Sequence, residues 1–247
     1  MASRLSTAAR PAAASPGAPG PAVAVLPEVP AGQARVPPPH WARAKRALAA
    51  ADPVMAGLIK AHPRVRLVSR GDGFTTLARS IVGQQISVKA AASVWARLCE
   101  RCPQVTPQSL LRRRVTTLRA CGLSGRKAEY LHDLARHFAA GRVTMAQLAS
   151  MGDQEVIDAL TEIRGIGRWT AEMFLIFNLL RPDVFPVDDL GLLKAIGLHY
   201  LDGTPCAELL RGAGRQNVLQ LGATWAPYRS VATWYLWRSL DPEPVEY

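Results

Sequence analysis

The chain has 247 residues, 49% of them hydrophobic, which predicts a folded protein with a substantial core rather than a disordered one. It carries 30 Lys and Arg against 19 Asp and Glu, a formal net charge of +11 that favours a polyanionic partner such as nucleic acid. No apolar run reaches the ~18 residues that a membrane span requires, so we expect no membrane partner.

The N-terminal stretch differs in composition from the rest of the chain. Residues 1–40 are rich in Pro and Ala, have almost no apolar periodicity and are predicted to form a disordered tail. Residues 41–247 are predicted to form the folded domain. The tail has no apolar segment of the kind that directs secretion. We therefore expect a cytoplasmic protein, associated with the nucleoid if the source is a bacterium; import into an organelle is the alternative.

Apolar residues recur at helical spacing through most of the domain, whereas sustained β alternation is absent. The sequence therefore predicts an all-α fold. Ser87 is a predicted N-cap for the second helix of this series. Four cysteines, including a C-x-x-C at a predicted helix end, form no zinc-binding set, and we expect them to be reduced. The predicted helices lie within residues 74–81, 88–99, 130–138, 156–160, 171–178, 190–199 and 228–240.

A Gly-Ile-Gly turn at residues 165–167 separates two of these helices. The two glycines allow a tight reversal, and Ile166 is predicted to fill the gap between the helices. The backbone N–H groups of Gly165 and Gly167 would lie at the positive end of the following helix, where an anion binds readily. A DNA phosphate suits this position and Arg168 adds charge beside it. An ordinary helix–loop–helix has the same pattern.

A Pro-containing loop then delivers Asp188 and Asp189 to the start of the next predicted helix. A carboxylate at that position is stabilised by the helix dipole and the free N–H groups. A negative charge beside a sugar is what cleavage of a glycosidic bond needs, because the transition state resembles an oxocarbenium ion. The alternative is that both aspartates serve only as helix caps.

Taken together, these segments resemble the helix-hairpin-helix DNA glycosylases, most closely the DNA-3-methyladenine glycosylase II (AlkA-like) branch. The likeness spans residues 70–240. It rests on five blocks in the family's order, namely residues 74–88, 118–129, 160–171, 184–191 and 225–230.

The resemblance implies two helical subdomains, a two-lobed bundle with a DNA-binding cleft between the lobes. It also implies a monomer that acts in base excision repair on double-stranded DNA with alkylated bases. The reaction would be hydrolysis of the N-glycosidic bond of purines such as 3-methyladenine and 7-methylguanine, after the base is flipped out of the duplex.

By position in the family, Asp189 is the expected catalytic residue. Asp188 is the second choice, since it precedes the helix and could cap it instead. Trp169 stands where relatives with lyase activity carry a catalytic lysine. Without an amine no Schiff base can form, so the resemblance implies a hydrolase without abasic-site lyase activity and without a catalytic cofactor.

The remaining roles that the resemblance implies concern the base, the phosphate and an ion. Gln85 is the expected wedge that fills the space left by the flipped base. The expected base pocket comprises Trp169, Met173 and Trp237. The expected phosphate contacts are Gly165, Gly167, Arg168 and Thr170. A structural Na⁺ or K⁺ would be held by the backbone carbonyls of Thr161, Ile163 and Ile166.

Two departures from the family pattern bear on the interpretation. Arg164 replaces the usual proline of the hairpin, where it could add a phosphate contact or alter the turn. Met173 replaces an aromatic residue of the pocket, which leaves the preferred base open. Two other functions remain as alternatives: a bifunctional glycosylase/lyase for oxidised bases, and a non-catalytic helix-hairpin-helix module that binds damaged or abasic DNA.

Overall fold

The computed structural model describes residues 37–63, 67–69 and 71–240, and these residues are helical without a β-strand. The all-α prediction is confirmed. Most of the predicted tail, residues 1–36, lies outside the described residues, so its boundary stays a prediction. The helices are α1 Trp41–Ala51, α2 Pro53–Ala61, α3 Gly73–Gly83, α4 Val88–Arg101, α5 Pro107–Leu111, α6 Val115–Ala120, α7 Gly125–Ala139, α8 Met145–Ser150, α9 Asp153–Thr161, α10 Arg168–Phe177, α11 Leu190–Tyr200, α12 Cys206–Leu209, α13 Gly212–Thr224 and α14 Arg229–Arg238.

Short polar side chains fix the start of several helices. The predicted cap at Ser87 is confirmed, because its hydroxyl accepts a hydrogen bond from the Ala90 N–H at 3.3 Å. Asp72 caps α3 and Ser124 caps α7 in the same way. Each cap satisfies one of the N–H groups that the first helical turn leaves without a partner.

The helices pack into two groups. The central lobe comprises α3 to α10, in which α7 packs against α3, α5 and α6, and α10 packs against α3 and α9. The terminal lobe combines α1 and α2 with α11 to α14. Phe177 at the end of α10 joins the lobes, because its ring contacts Trp234 and Trp237 of α14 with centroid distances of 5.9 and 5.7 Å. The segments that end α10 and begin α11 therefore lie at the junction of the lobes.

Asp52 ties the beginning of the terminal lobe to its end. One carboxylate oxygen caps α2, and the other accepts hydrogen bonds from the Tyr200 hydroxyl at 2.7 Å and the Trp225 indole at 2.9 Å. Burial, followed by the hydrogen bond to Asp52, raises the pKa of Tyr200. Within the described ranges, none of the helices has the length and apolar character needed to cross a membrane.

Candidate active site at the hairpin

The predicted hairpin forms between the end of α9 at Thr161 and the start of α10 at Arg168. Ile166 is 4% exposed, which confirms its predicted position between the two helices. Gly165 has a φ of +89°, a left-handed conformation that favours glycine. A Cβ atom at Gly165 would also overlap the ring of Tyr130. Only glycine fits this position without a rearrangement.

Gly167 is the N-cap of α10 and differs from Gly165 in its surroundings. Its φ is −96°, and a Cβ atom would meet nothing within 4 Å. Gly167 is exposed at the tip of the hairpin, and the N–H groups of the first turn of α10, which have no partner within the helix, are suited to bind an anion. The side chain of Thr170 is buried at 6% exposure, so only its backbone N–H in this first turn is suited to the predicted phosphate contact.

Asp189 lies at the N-cap of α11 and is 8% exposed. Its Oδ1 accepts hydrogen bonds from the Leu192 N–H at 2.7 Å and the Trp237 indole at 2.8 Å. Its Oδ2 accepts one from the Trp169 indole, also at 2.8 Å. Three N–H donors thus stabilise a negative charge on one carboxylate at the junction of the lobes.

Asp188 has a different environment from its neighbour. It is exposed and its carboxylate pairs with Arg215 of α13 at 2.6 Å. The idea that Asp188 caps the helix in place of Asp189 is wrong, because Asp189 itself provides the capping oxygen. Asp189 is therefore both the helix cap and a buried carboxylate, whereas the sequence analysis left open which aspartate has which role.

Two of the three predicted pocket residues, Trp169 and Trp237, contact this carboxylate. Trp169 is the second residue of α10, and Met173 follows one turn later with 8% exposure. Trp237 stacks on Phe177 with an interplanar angle of 19°, so one of its faces is covered by protein. Gly191 lies against the Asp189–Trp237 hydrogen bond, where an added Cβ would come within 3.2–3.4 Å of it. The sequence analysis placed the two indoles in the expected base pocket but missed their hydrogen bonds to Asp189.

Glu172 is a buried carboxyl that the sequence analysis did not single out. It is 5% exposed, and one oxygen accepts a hydrogen bond from Arg168 Nε at 3.0 Å. Burial raises the pKa of Glu172 to about 7; Arg168 opposes the shift, and the charges of Asp188 and Asp189 add to it. The i,i+4 spacing of Arg168 and Glu172 on one helix was the available signal.

The raised pKa makes stability depend on pH. The folded protein favours the protonated form of Glu172, so ionisation destabilises it as pH rises from about 4.5 towards 7. We expect Glu172→Gln to gain stability relative to the parent across this window, by up to about 3 kcal/mol. Thermal unfolding at several pH values measures it, with exposed Glu208→Gln as the control. If the stability difference between Glu172→Gln and the parent stayed constant from pH 4 to 8, this expectation would be contradicted.

The α3–α4 turn, residues 84–87, lies beside the hairpin. Gln85 is exposed at its tip, as expected of a wedge, and has a left-handed φ of +57°. Gln84 Nε2 donates a hydrogen bond to the Gly165 carbonyl at 2.8 Å, a contact that the sequence analysis missed.

Two arginines of the hairpin contact carboxylates of the protein. Arg164 donates its backbone N–H to Asp133 at 2.9 Å, and its guanidinium lies 3.3 Å from Glu129. The guanidinium of Arg168 contacts Glu172 and Gln154. Both arginine side chains are more than half exposed, so they remain accessible to a further anion.

A two-lobed helical fold with a glycine hairpin and a buried carboxylate beside it defines a helix-hairpin-helix protein. The family model of the HhH-GPD superfamily base excision DNA repair proteins matches residues 78–212, and the chain belongs to this family.

Two similar sequences and one solved structure are consistent with this membership. The "DNA-3-methyladenine glycosylase 1" of Schizosaccharomyces pombe is 34% identical over 178 residues, 70% of this chain and 75% of the relative. The Escherichia coli "DNA-3-methyladenine glycosylase 2" is 31% identical over 75% of this chain and 64% of its own. The solved 3-methyladenine DNA glycosylase of S. pombe with abasic DNA has a TM-score of 0.68 at 32% identity, covering 80% of this chain and 96% of that one. The predicted resemblance is confirmed.

Proposed function

We propose that this protein is a DNA glycosylase that hydrolyses the N-glycosidic bond of alkylated purines in double-stranded DNA and acts as a monomer. The observation that carries the proposal is Asp189, a buried carboxylate fixed by three N–H donors. One of these donors is the indole of Trp169, two residues after Gly167 of the hairpin. The names of the relatives support the substrate class, since they are 3-methyladenine glycosylases.

DNA binding would centre on the open tip of the hairpin. The N–H groups of the first turn of α10 have no partner within the helix and suit an anion, and Arg168 and the net charge of +11 add attraction for phosphate. The S. pombe relative was solved with abasic DNA, which supports a duplex partner. A contact of this kind positions the duplex without reading its sequence.

Asp189 would act on the sugar of a flipped nucleotide. Departure of the base leaves positive charge on the deoxyribose, and a fixed carboxylate stabilises that charge without reorganising during the reaction. An alkylated purine carries positive charge already and leaves without much help from an acid, so one carboxylate suffices. The carboxylate can also orient the attacking water.

Trp169 supports hydrolysis without lyase activity. A lyase needs an amine that attacks the sugar carbon and forms a Schiff base. At this position the chain has an indole, and its N–H is engaged by Asp189. We therefore propose a monofunctional enzyme.

We also propose that the hairpin holds the monovalent cation that the family resemblance implies. Carbonyl oxygens are suitable ligands for Na⁺ or K⁺, and those of Thr161, Ile163 and Ile166 belong to one short segment. The Ile163 carbonyl accepts the Ile166 N–H at 3.0 Å and keeps a second lone pair. A cation bound there would add positive charge to the phosphate-binding side of the hairpin.

Incubation with methylated DNA tests the function directly. We expect free 3-methyladenine and 7-methylguanine in the supernatant, measured by chromatography, and no strand breaks until the abasic product is treated with alkali. Unmethylated DNA is the control. Strand breaks without alkali would identify a lyase instead, and tight binding without free purine would identify a non-catalytic module.

A further inference from the structure

The α3–α4 turn is held only loosely by its own backbone. The Gln84 N–H reaches the Ile81 carbonyl at 3.4 Å, and the Ile86 N–H reaches the Gly83 carbonyl at 3.5 Å. Both distances exceed the 2.7–3.2 Å of a good N–H···O bond. Gln85, which lies between these two bonds, has a left-handed φ of +57°, a backbone conformation that residues other than glycine rarely adopt. The conformation of this turn therefore depends on contacts from elsewhere.

Two side chains supply those contacts. Gln84 Nε2 donates to the Gly165 carbonyl of the hairpin at 2.8 Å. Lys127 Nζ, from α7, donates to the carbonyls of Val82 at 2.8 Å and Gln84 at 2.6 Å. Burial lowers the pKa of Lys127, and the two carbonyls at the end of α3 compensate part of the lost hydration of its ammonium group.

The same helix also supports the hairpin. The ring of Tyr130 packs against Gly165, and the carboxylate of Asp133 accepts the Arg164 N–H at 2.9 Å. Helix α7 thus holds both the turn that carries Gln85 and the hairpin. The Gln84–Gly165 hydrogen bond also links the α3–α4 turn directly to the hairpin.

We propose that Gln84 is a positioning residue that, with Lys127, fixes the α3–α4 turn to the hairpin, so that phosphate binding by the hairpin places Gln85 at the height of the vacated base. This inference rests on the proposed function, because it concerns how the same DNA site holds a flipped nucleotide. Gln84 acts through the backbone of its neighbours and is not a catalytic residue.

The physical reason is preorganisation. A wedge residue stabilises the flipped-out nucleotide best when it is already correctly placed relative to the DNA backbone that the hairpin binds. Ordering the wedge during binding would cost conformational entropy. If the Gln84–Gly165 bond is lost, the hairpin still binds phosphate, but Gln85 samples other positions. Loss of this bond should therefore reduce the insertion of Gln85 into the duplex without reducing phosphate binding by the hairpin.

The test uses Gln84→Met, which keeps the length of the side chain and removes the donor, with exposed Gln220→Met on α13 as the control. A duplex with 2-aminopurine next to an abasic-site analogue reports on insertion through its fluorescence. We expect the fluorescence change on binding to fall about five- to tenfold in Gln84→Met, with affinity for undamaged duplex within about twofold of the parent. Gln220→Met should match the parent in both.

Lys127→Met provides a second variant and should reduce the same signal. The proposal is overturned if Gln84→Met keeps the full fluorescence change, or if its affinity for undamaged duplex falls in parallel with the signal. Because this readout needs no base release, it stays informative if the protein proves inactive on methylated DNA, so the failure of one proposal can be told from the failure of the other. Thermal unfolding within a few degrees of the parent would show that the variants fold.

Discussion

Replacing Asp189 with Asn is expected to slow base release at least about 10³-fold while leaving affinity for duplex DNA nearly unchanged. The substitution removes the negative charge that would face the developing charge on the sugar and keeps the size of the side chain. Affinity should survive because the hairpin, not Asp189, provides the phosphate contacts. Single-turnover release of 3-methyladenine and binding to an abasic analogue measure the two effects separately.

The hydrogen bonds around Asp189 predict a secondary effect of this variant. The amide oxygen of Asn can still accept from Leu192 and Trp237, but its NH₂ group would face the Trp169 indole, which is also a donor. One unmatched donor pair costs about 1–3 kcal/mol of stability. The free energy of unfolding should therefore be measured alongside activity.

Asp188→Asn is the matched control, because this neighbour is exposed and pairs with Arg215 at the surface. It should retain base release within about threefold, since an exposed ion pair contributes at most ~1 kcal/mol. Should Asp188→Asn lose activity while Asp189→Asn keeps it, the catalytic assignment would have to move by one residue.

The sequence was sufficient for the hairpin and for the helices with a clear apolar periodicity, namely α3, α4, α7, α9, α10, α11 and α14, because these leave local traces, whereas α1, α2, α5, α6, α8, α12 and α13 were not predicted. Apolar residues at spacings of three and four predicted α3, α4 and α7, and the short sequence 165–167 predicted the reversal between α9 and α10. The loop that ends at Asp189 could also be predicted from local sequence, since a Pro-containing segment before an apolar stretch marks the start of a helix, here α11.

The contacts that hold the site leave no such trace. Gln84 and Gly165 are 81 residues apart in sequence, and Asp189 and Trp237 are 48 apart. Hydrogen bonds from a side chain to a distant carbonyl or carboxylate have no periodicity, so neither Gln84 nor Lys127 could be assigned a role beforehand. The choice between Asp188 and Asp189 was open for the same reason: adjacent identical residues differ only in the direction of their side chains.

The second large effect is expected at the hairpin glycines, which look alike in sequence but have opposite surroundings. Gly165→Ala must place a Cβ against the Tyr130 ring in a left-handed conformation. Strain and overlap together should lower the free energy of unfolding by about 2–4 kcal/mol. Because the substitution displaces the hairpin turn, the affinity for DNA should also fall.

Gly167→Ala should instead leave the free energy of unfolding within about 0.5 kcal/mol of the parent, because its φ of −96° is ordinary and its Cβ would point into open space. That space is where a phosphate oxygen would approach the backbone. Affinity should therefore fall by about tenfold for every DNA sequence alike, since phosphate contacts carry no sequence information. Denaturant unfolding and duplex titrations on the two variants separate folding from binding. Wild-type affinity in Gly167→Ala, or a loss confined to certain sequences, would place the phosphate contact elsewhere than at this hairpin tip.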